Sequence, residues 1–130
     1  TANSVVLARS TGGHTKFTTV TDGRYEVAAL GVTRTRLVGT DVSVVLLASG
    51  RVAVAFQDAS RMRIGFARET NTGDFAVAMA PTSERPQLAP RVIPLVDGSA
   101  SVSWIELNPA ANPPAGAITT WNVGVGGILP

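Results

Sequence analysis

The chain has 130 residues, 45% of them apolar but only 5% aromatic, with 13 glycines, 8 prolines and no cysteine. That composition fits one domain with a core of Val, Leu, Ile and Ala between many turns, and it excludes disulfides, thiolate nucleophiles and Cys-ligated metals. Eleven Lys and Arg against nine Asp and Glu leave a net charge of +2, dispersed except for the pairs Arg34/Arg36 and Arg61/Arg63, too little clustered charge to track a phosphate backbone.

No apolar run approaches the ~20 residues that span a bilayer, so no membrane span is expected. No basic segment followed by an apolar one opens the chain, and the start at Thr1 reads as a trimmed or processed end. Thr1 as an amino-terminal nucleophile would need a scaffold of sheets between helix layers. Helix-period patterning is absent, whereas short alternating runs bounded by Gly, Pro, Asn, Asp and Ser recur throughout.

The first candidate strands, Ser4–Arg9 and Phe17–Val20, flank the turn "STGGHTK" with the single histidine, His14. A metal site or a Ser-His-Asp triad would rest on His14 alone, and no G-x-S-x-G elbow accompanies it, so it reads as a solvated turn residue. Next comes Tyr25–Leu30, inside an irregular stretch from Asp22 to Thr40.

Four candidate strands then follow closely: Val42–Ala48, Val52–Gln57, Arg61–Arg68 and Phe75–Met79. Val52, Val54 and Phe56 alternate with Ala53 and Ala55, and Phe75, Val77 and Met79 alternate with Ala76, Ala78 and Ala80. Neither side carries a charge, which calls for sheets stacked on both faces rather than one wet face. The last candidates are Arg91–Val96, Ser101–Glu106 and Ile118–Val123, with the Pro- and Asn-rich loop Glu106–Ala117 between the final two.

An internal repeat organises these strands. "VSVVLLASGRVAVAFQDA" lies over "PRVIPLVDGSASVSWIEL" without a gap, pairing Val44 with Val92, Gly50 with Gly98, Val54 with Val102 and Phe56 with Trp104. The offset is that of propeller-blade repeats, ~40–50 residues. A second match sets Ala8-Arg9 beside Ala67-Arg68 and Phe17 beside Phe75. The expected organisation is a single all-β region, residues 1–130, with a partial unit at 4–20, a complete one at 42–79 and a partial one at 90–123.

The hairpin "SGRVAVAFQD", the strand ending "FAR" and the polar turn after it resemble the repeats of sialidase-like, Asp-box β-propellers. In "STGGHTKF", Ser10 and Phe17 stand where that box has Ser and Trp; in "ETNTGDF", Asn71 and Gly73 fit it. The resemblance implies an antiparallel meander of four-stranded blades, a β-propeller-like fragment of about two and a half blades, with a β-sandwich as the alternative. It also implies an extracellular or surface location. The sialidase reaction is not implied, because Tyr25, the only tyrosine, and its neighbour Glu26 point to opposite faces of a strand.

Closed propellers have four or more blades. The expectation is therefore a non-enzymatic binding or assembly module that completes a larger propeller with another polypeptide chain or copies of itself, through the terminal segments "TANSVVLARS" and "WNVGVGGILP". The alternatives are a subunit of a propeller glycoside hydrolase whose catalytic residues lie mostly on a companion chain, and a capsid, decoration or fibre-type structural protein. Candidate contacts for a glycan or protein ligand are Asp58, Arg61, Arg63, Glu69 and Glu106 at the turns and Trp121 as a stacking platform, while Trp104 reads as core. No catalytic, cofactor or metal residues are assigned, and no nucleic acid is expected as a partner.

Overall fold

Every regular element of extended type pairs with its neighbour in sequence, because short connections between alternating apolar runs favour antiparallel hairpins. The computed structural model describes residues 4–81 and 83–124, with Glu26 by its backbone alone, so the expected placement of Tyr25 and Glu26 on opposite faces lies outside the described side chains. Strands β1 (Val5–Thr11) and β2 (His14–Thr21) form a first sheet, and β3 (Arg24–Val27) and β4 (Val32–Thr35) a small hairpin closed by a 3-10 turn. The middle sheet is β5 (Val38–Leu46), β6 (Val52–Asp58), β7 (Arg63–Glu69) and β8 (Phe75–Met79), in that order. The last sheet is β9 (Gln87–Pro94), β10 (Ala100–Asn108) and β11 (Ala115–Val123). The protein is all-β, and no α-helix occurs among the described residues.

Several boundaries differ from the sequence reading. The stretch from Asp22 to Thr40 holds a second strand, β4, whose side chains are all exposed, so no apolar alternation marks it. Strand β10 continues to Asn108 and β11 starts at Ala115, which shortens the Pro- and Asn-rich loop to residues 109–114. Pro90 and Pro94 both lie in β9, an edge strand, where a missing N–H costs no ladder bond.

The hairpins β5–β6 and β9–β10 share register and turn. Val44 faces Val54 and Leu46 faces Val52, as Val92 faces Val102 and Pro94 faces Ala100. In each turn a Leu N–H donates across to the residue before β6 or β10, Leu47 to the Arg51 carbonyl at 2.8 Å and Leu95 to the Ser99 carbonyl at 2.9 Å. Gly50 (φ 81°) and Gly98 (φ 86°) then donate back to Leu47 and Leu95, a left-handed position that glycine takes without steric cost. The third strands also correspond, since Phe56 faces Gly65 and Trp104 faces Thr119.

The two inner strands of the middle sheet, β6 and β7, are buried on both faces. Val52, Val54, Phe56 and Ala67, with Phe75 at the edge, pack against Val5, Leu7 and Val20 of the first sheet. Ala53, Ala55, Ile64, Phe66 and Ala80 pack against Val92, Ala100, Val102, Trp104 and Val123 of the last sheet. The middle and last sheets thus each turn a face with aromatics toward the preceding sheet, and the first and middle sheets each receive the following sheet on their other face. Burial of these apolar faces is what holds the layers together.

Strands β1 and β2 occupy the places of β7 and β8 in this scheme. Val5 and Leu7 point toward the following sheet, as Ile64 and Phe66 do, and Arg9 reaches that sheet as Arg68 does. Cross-strand register sets Ala8 opposite Phe17 and Ala67 opposite Val77. Phe17 is therefore equivalent to Val77 rather than to Phe75, because the β1–β2 turn is tighter than the β7–β8 turn.

Candidate functional site

At one end of the middle sheet the β6–β7 turn, the β3–β4 hairpin and the end of β2 enclose a cleft of about 330 Å3, lined by Thr21, Arg24, Arg36, Phe56, Asp58 and Arg61 among others. The cleft exists because Arg36 N–H donates to the Gly23 carbonyl at 3.0 Å and Leu37 N–H to the Ser60 hydroxyl at 2.7 Å, fastening the hairpin's base to the turn. Asp58, buried at the end of β6, accepts from Arg61 Nε at 2.6 Å and from the Arg61 backbone N–H at 3.2 Å. A buried carboxylate needs such partners, since its desolvation is otherwise costly.

The other two guanidiniums of the cleft are also engaged. Arg24 pairs with Asp22 at 3.1 Å, and Arg36 lies 3.8 Å over the ring of Tyr25, a cation–π contact. Three arginines and one carboxylate around a small cleft make a polar recognition surface with a positive balance. They do not make a general acid or base beside a nucleophile, which acid–base chemistry would require. Arg24 and Arg36 were not legible as site residues, because β4, which precedes Arg36, has only exposed side chains, and no local pattern places the hairpin β3–β4 against the β6–β7 turn.

The remaining candidate residues lie elsewhere. Arg63 follows the turn and donates through Nη2 to the Ala80 carbonyl at 2.5 Å. Glu69 is at the far end of β7, where it takes a two-pronged contact from Arg9 at 3.0 and 2.9 Å and a hydrogen bond from the Val52 N–H at 3.0 Å. The Arg9 fork holds the Glu69 carboxyl below its usual range, against the opposing effect of burial, with the Val52 N–H adding to the fork. Arg9 and Glu69 thereby clasp the first sheet to the middle one.

Arg68 makes the corresponding clasp to the last sheet, donating through Nη1 to the Gly124 carbonyl at 2.6 Å. Burial, and then the nearby Arg51 charge, draw the Arg68 guanidinium down from its usual value. Glu106 stands in β10 where Asp58 stands in β6. Its Oε1 accepts from the Trp104 indole N–H at 3.3 Å and from Gln87 Nε2 at 3.5 Å. Gln87, fully buried, also accepts the Ile64 N–H at 3.0 Å on Oε1 and donates to the Pro81 carbonyl at 3.2 Å, tying β9 to β7. Trp121 is half-buried with its ring edge-on to Phe66 at 6.0 Å, so it packs the sheet interface. Of the six candidates, the fold brings only Asp58, Arg61 and Arg63 to one turn.

The other notable surface is apolar. Val42, Val44 and Leu46 alternate along β5 on the face that turns toward the first sheet, yet all three are exposed. The first sheet has only two strands among the described residues, and they pack on β6, β7 and the edge of β8, leaving these three side chains uncovered. Val92, the counterpart of Val44, is 3% exposed because β9 rests on β5, where its N–H donates to the Ser43 hydroxyl at 3.1 Å; Val44 is 56% exposed.

Among the described residues no three His, Asp or Glu side chains come together to hold a metal ion, and no helix is long and apolar enough to cross a membrane. No protein-family model, curated protein or solved structure matches the chain.

Proposed function

We propose that the protein is a non-enzymatic assembly module, a run of propeller-like blades that another polypeptide completes by adding strands to the β1 edge. The carrying observation is the contrast between Val44 and Val92. The same repeat position is covered where a first strand lies on β5 and bare where the first sheet has no such strand. A β-strand pair added beside β1 would satisfy its unpaired backbone edge and cover Val42, Val44 and Leu46 together, the usual logic of strand addition. The arginine-lined cleft at the rim is the place for a glycan or protein ligand in this reading, and an extracellular or surface setting accords with it.

The test uses a peptide of residues 90–107, the chain's own first-and-second-strand hairpin, as the probe. Binding is read by fluorescence anisotropy and by amide hydrogen exchange. The expected result is slower exchange along Val5–Thr11, with binding weakened at least tenfold by Val44→Asp. Peptide binding that leaves β1 exchange unchanged, or no binding at all, overturns the reading. Bare strand edges in a propeller glycosidase subunit would serve the same purpose, so turnover of glycoside substrates by the assembled complex, lost in Arg61→Ala, would favour that alternative.

A further inference from the structure

The third strand of each sheet carries an apolar residue at one repeat position, and the following sheet covers it. Val5 on β1 is 6% exposed beneath the middle sheet, and Ile64 on β7 is 0% exposed beneath the last. The register that sets Phe56 opposite Gly65 and Trp104 opposite Thr119 places Ile118 of β11 at that position. Ile118 is 81% exposed. Around it Ile93 and Ile105 are also exposed, and Ser101 and Ser103 take the places of Ala53 and Ala55, the small residues on which the last sheet rests.

We propose that a second copy of this chain covers this outer face of the last sheet with the outer face of its own first sheet. At both internal interfaces the following sheet delivers aromatics: Phe56 and Phe75 toward the first sheet, Trp104 and Trp121 toward the middle one. The first sheet holds out one aromatic with nothing on it, Phe17, 69% exposed and paired across the strands with Ala8. Val6, Ser10, Thr15 and Thr19 share that face, and none is charged. The receiving face has a depression of about 260 Å3 lined by Ala89, Arg91, Ser103, Trp104, Ile105 and Ile118, which suits an inserted ring.

The polar clasp is matched as well. Where Arg9 reaches Glu69 and Arg68 reaches Gly124, the last sheet has Asn122 and the first sheet would answer with Ser10, neutral on both sides. Arg91, the charged residue lining the depression, already has Asp41 as its partner at 3.2 Å, so the contact leaves no unpaired charge, which would otherwise oppose it. One chain thus carries both halves of the same stacking rule, a receiving face and a covering face. Such a contact is heterologous, so copies join head to tail and close into a ring when the rotation permits. It uses a different surface from the β1 edge, and its failure leaves strand addition there standing.

Native mass spectrometry and sedimentation of the full chain test it with Phe17→Asp and Ile118→Asp. Both positions are exposed, and unchanged circular dichroism and unfolding midpoints check that the variants fold. Wild type is expected to form a small closed oligomer and each variant alone a monomer. An equimolar mixture of the two is expected to form a dimer with one chain of each, because each retains the face the other has lost. Val96→Asp, in the β9–β10 turn away from the face, assembles as wild type. A monomeric wild type, a variant that still assembles, or a mixture that stays monomeric overturns the inference.

Discussion

Gly65→Ala isolates one contact on which the middle sheet depends. Gly65 sits opposite Phe56 in the β6–β7 ladder, and the Phe56 ring lies directly over it. A Cβ at Gly65 would meet three ring atoms at 2.2, 2.6 and 2.8 Å, well inside ordinary van der Waals contact. The ring has no room to yield, because Phe56 is buried among Val38, Val52, Val54 and Ala67. Forced repacking of that kind costs about 1–3 kcal/mol, against ~0.4–1 kcal/mol regained from the less flexible unfolded chain.

The net expectation is a loss of about 1.3 kcal/mol, or roughly 5 °C in Tm for a domain of this size. Thermal and urea unfolding followed by circular dichroism measure it. Phe56→Leu alone should destabilise by about 1–2 kcal/mol through lost ring volume. In the double variant the added methyl fills the vacated space, so the two losses should fall short of additivity by about 1 kcal/mol or more. A Gly65→Ala protein as stable as wild type, or a double variant whose losses simply add, would refute the reasoning.

Glu69→Gln should lower stability near neutral pH by at most about 1 kcal/mol, since Arg9 is substantially exposed and solvent screens the pair. Because the folded Glu69 carboxyl is held below its unfolded value near ~4.3, the contribution is complete above that pH and lost as pH falls through the folded value. Unfolding midpoints of wild type and Glu69→Gln should therefore converge in acid, and a gap that persists unchanged down to pH 2 would contradict the clasp. Gln87→Leu should cost about 2–3 kcal/mol in urea unfolding by leaving the Ile64 N–H without its buried acceptor. Trp121→Ala should lower stability by about 3 kcal/mol, measured in the same way, by removing the ring packed on Phe66; an unaltered midpoint would return Trp121 to the surface role that its sequence context allowed.

The alternation of Val52, Val54 and Phe56 with Ala53 and Ala55 was enough to read a strand buried on both faces, because side chains two apart always share a side of a sheet. The glycines at 50 and 98 were likewise readable, since a tight hairpin needs a residue that accepts positive φ. The candidate site was legible only at Asp58 and Arg61, which line the cleft; Arg63 adjoins the same turn but reaches the Ala80 carbonyl instead. Arg24 and Arg36 reach the same cleft from a hairpin whose second strand, exposed throughout, leaves no periodic signal. Glu69 and Trp121 carried plausible site chemistry, yet their partners, Arg9 and Phe66, stand on other sheets, and no local pattern announces such pairs.

What the chain determined locally was therefore strand identity, turn chemistry and the repeat that relates Val44 to Val92. Those properties follow from pleat periodicity and backbone sterics, which act between residues a few positions apart. Only the tertiary structure decided which repeat positions are covered. Ile64 and Ile118 are equivalent isoleucines in equivalent strands, and one is sealed while the other faces outward because a further sheet lies over the first and none among the described residues lies over the second. Burial is a property of the neighbouring layer rather than of the residue.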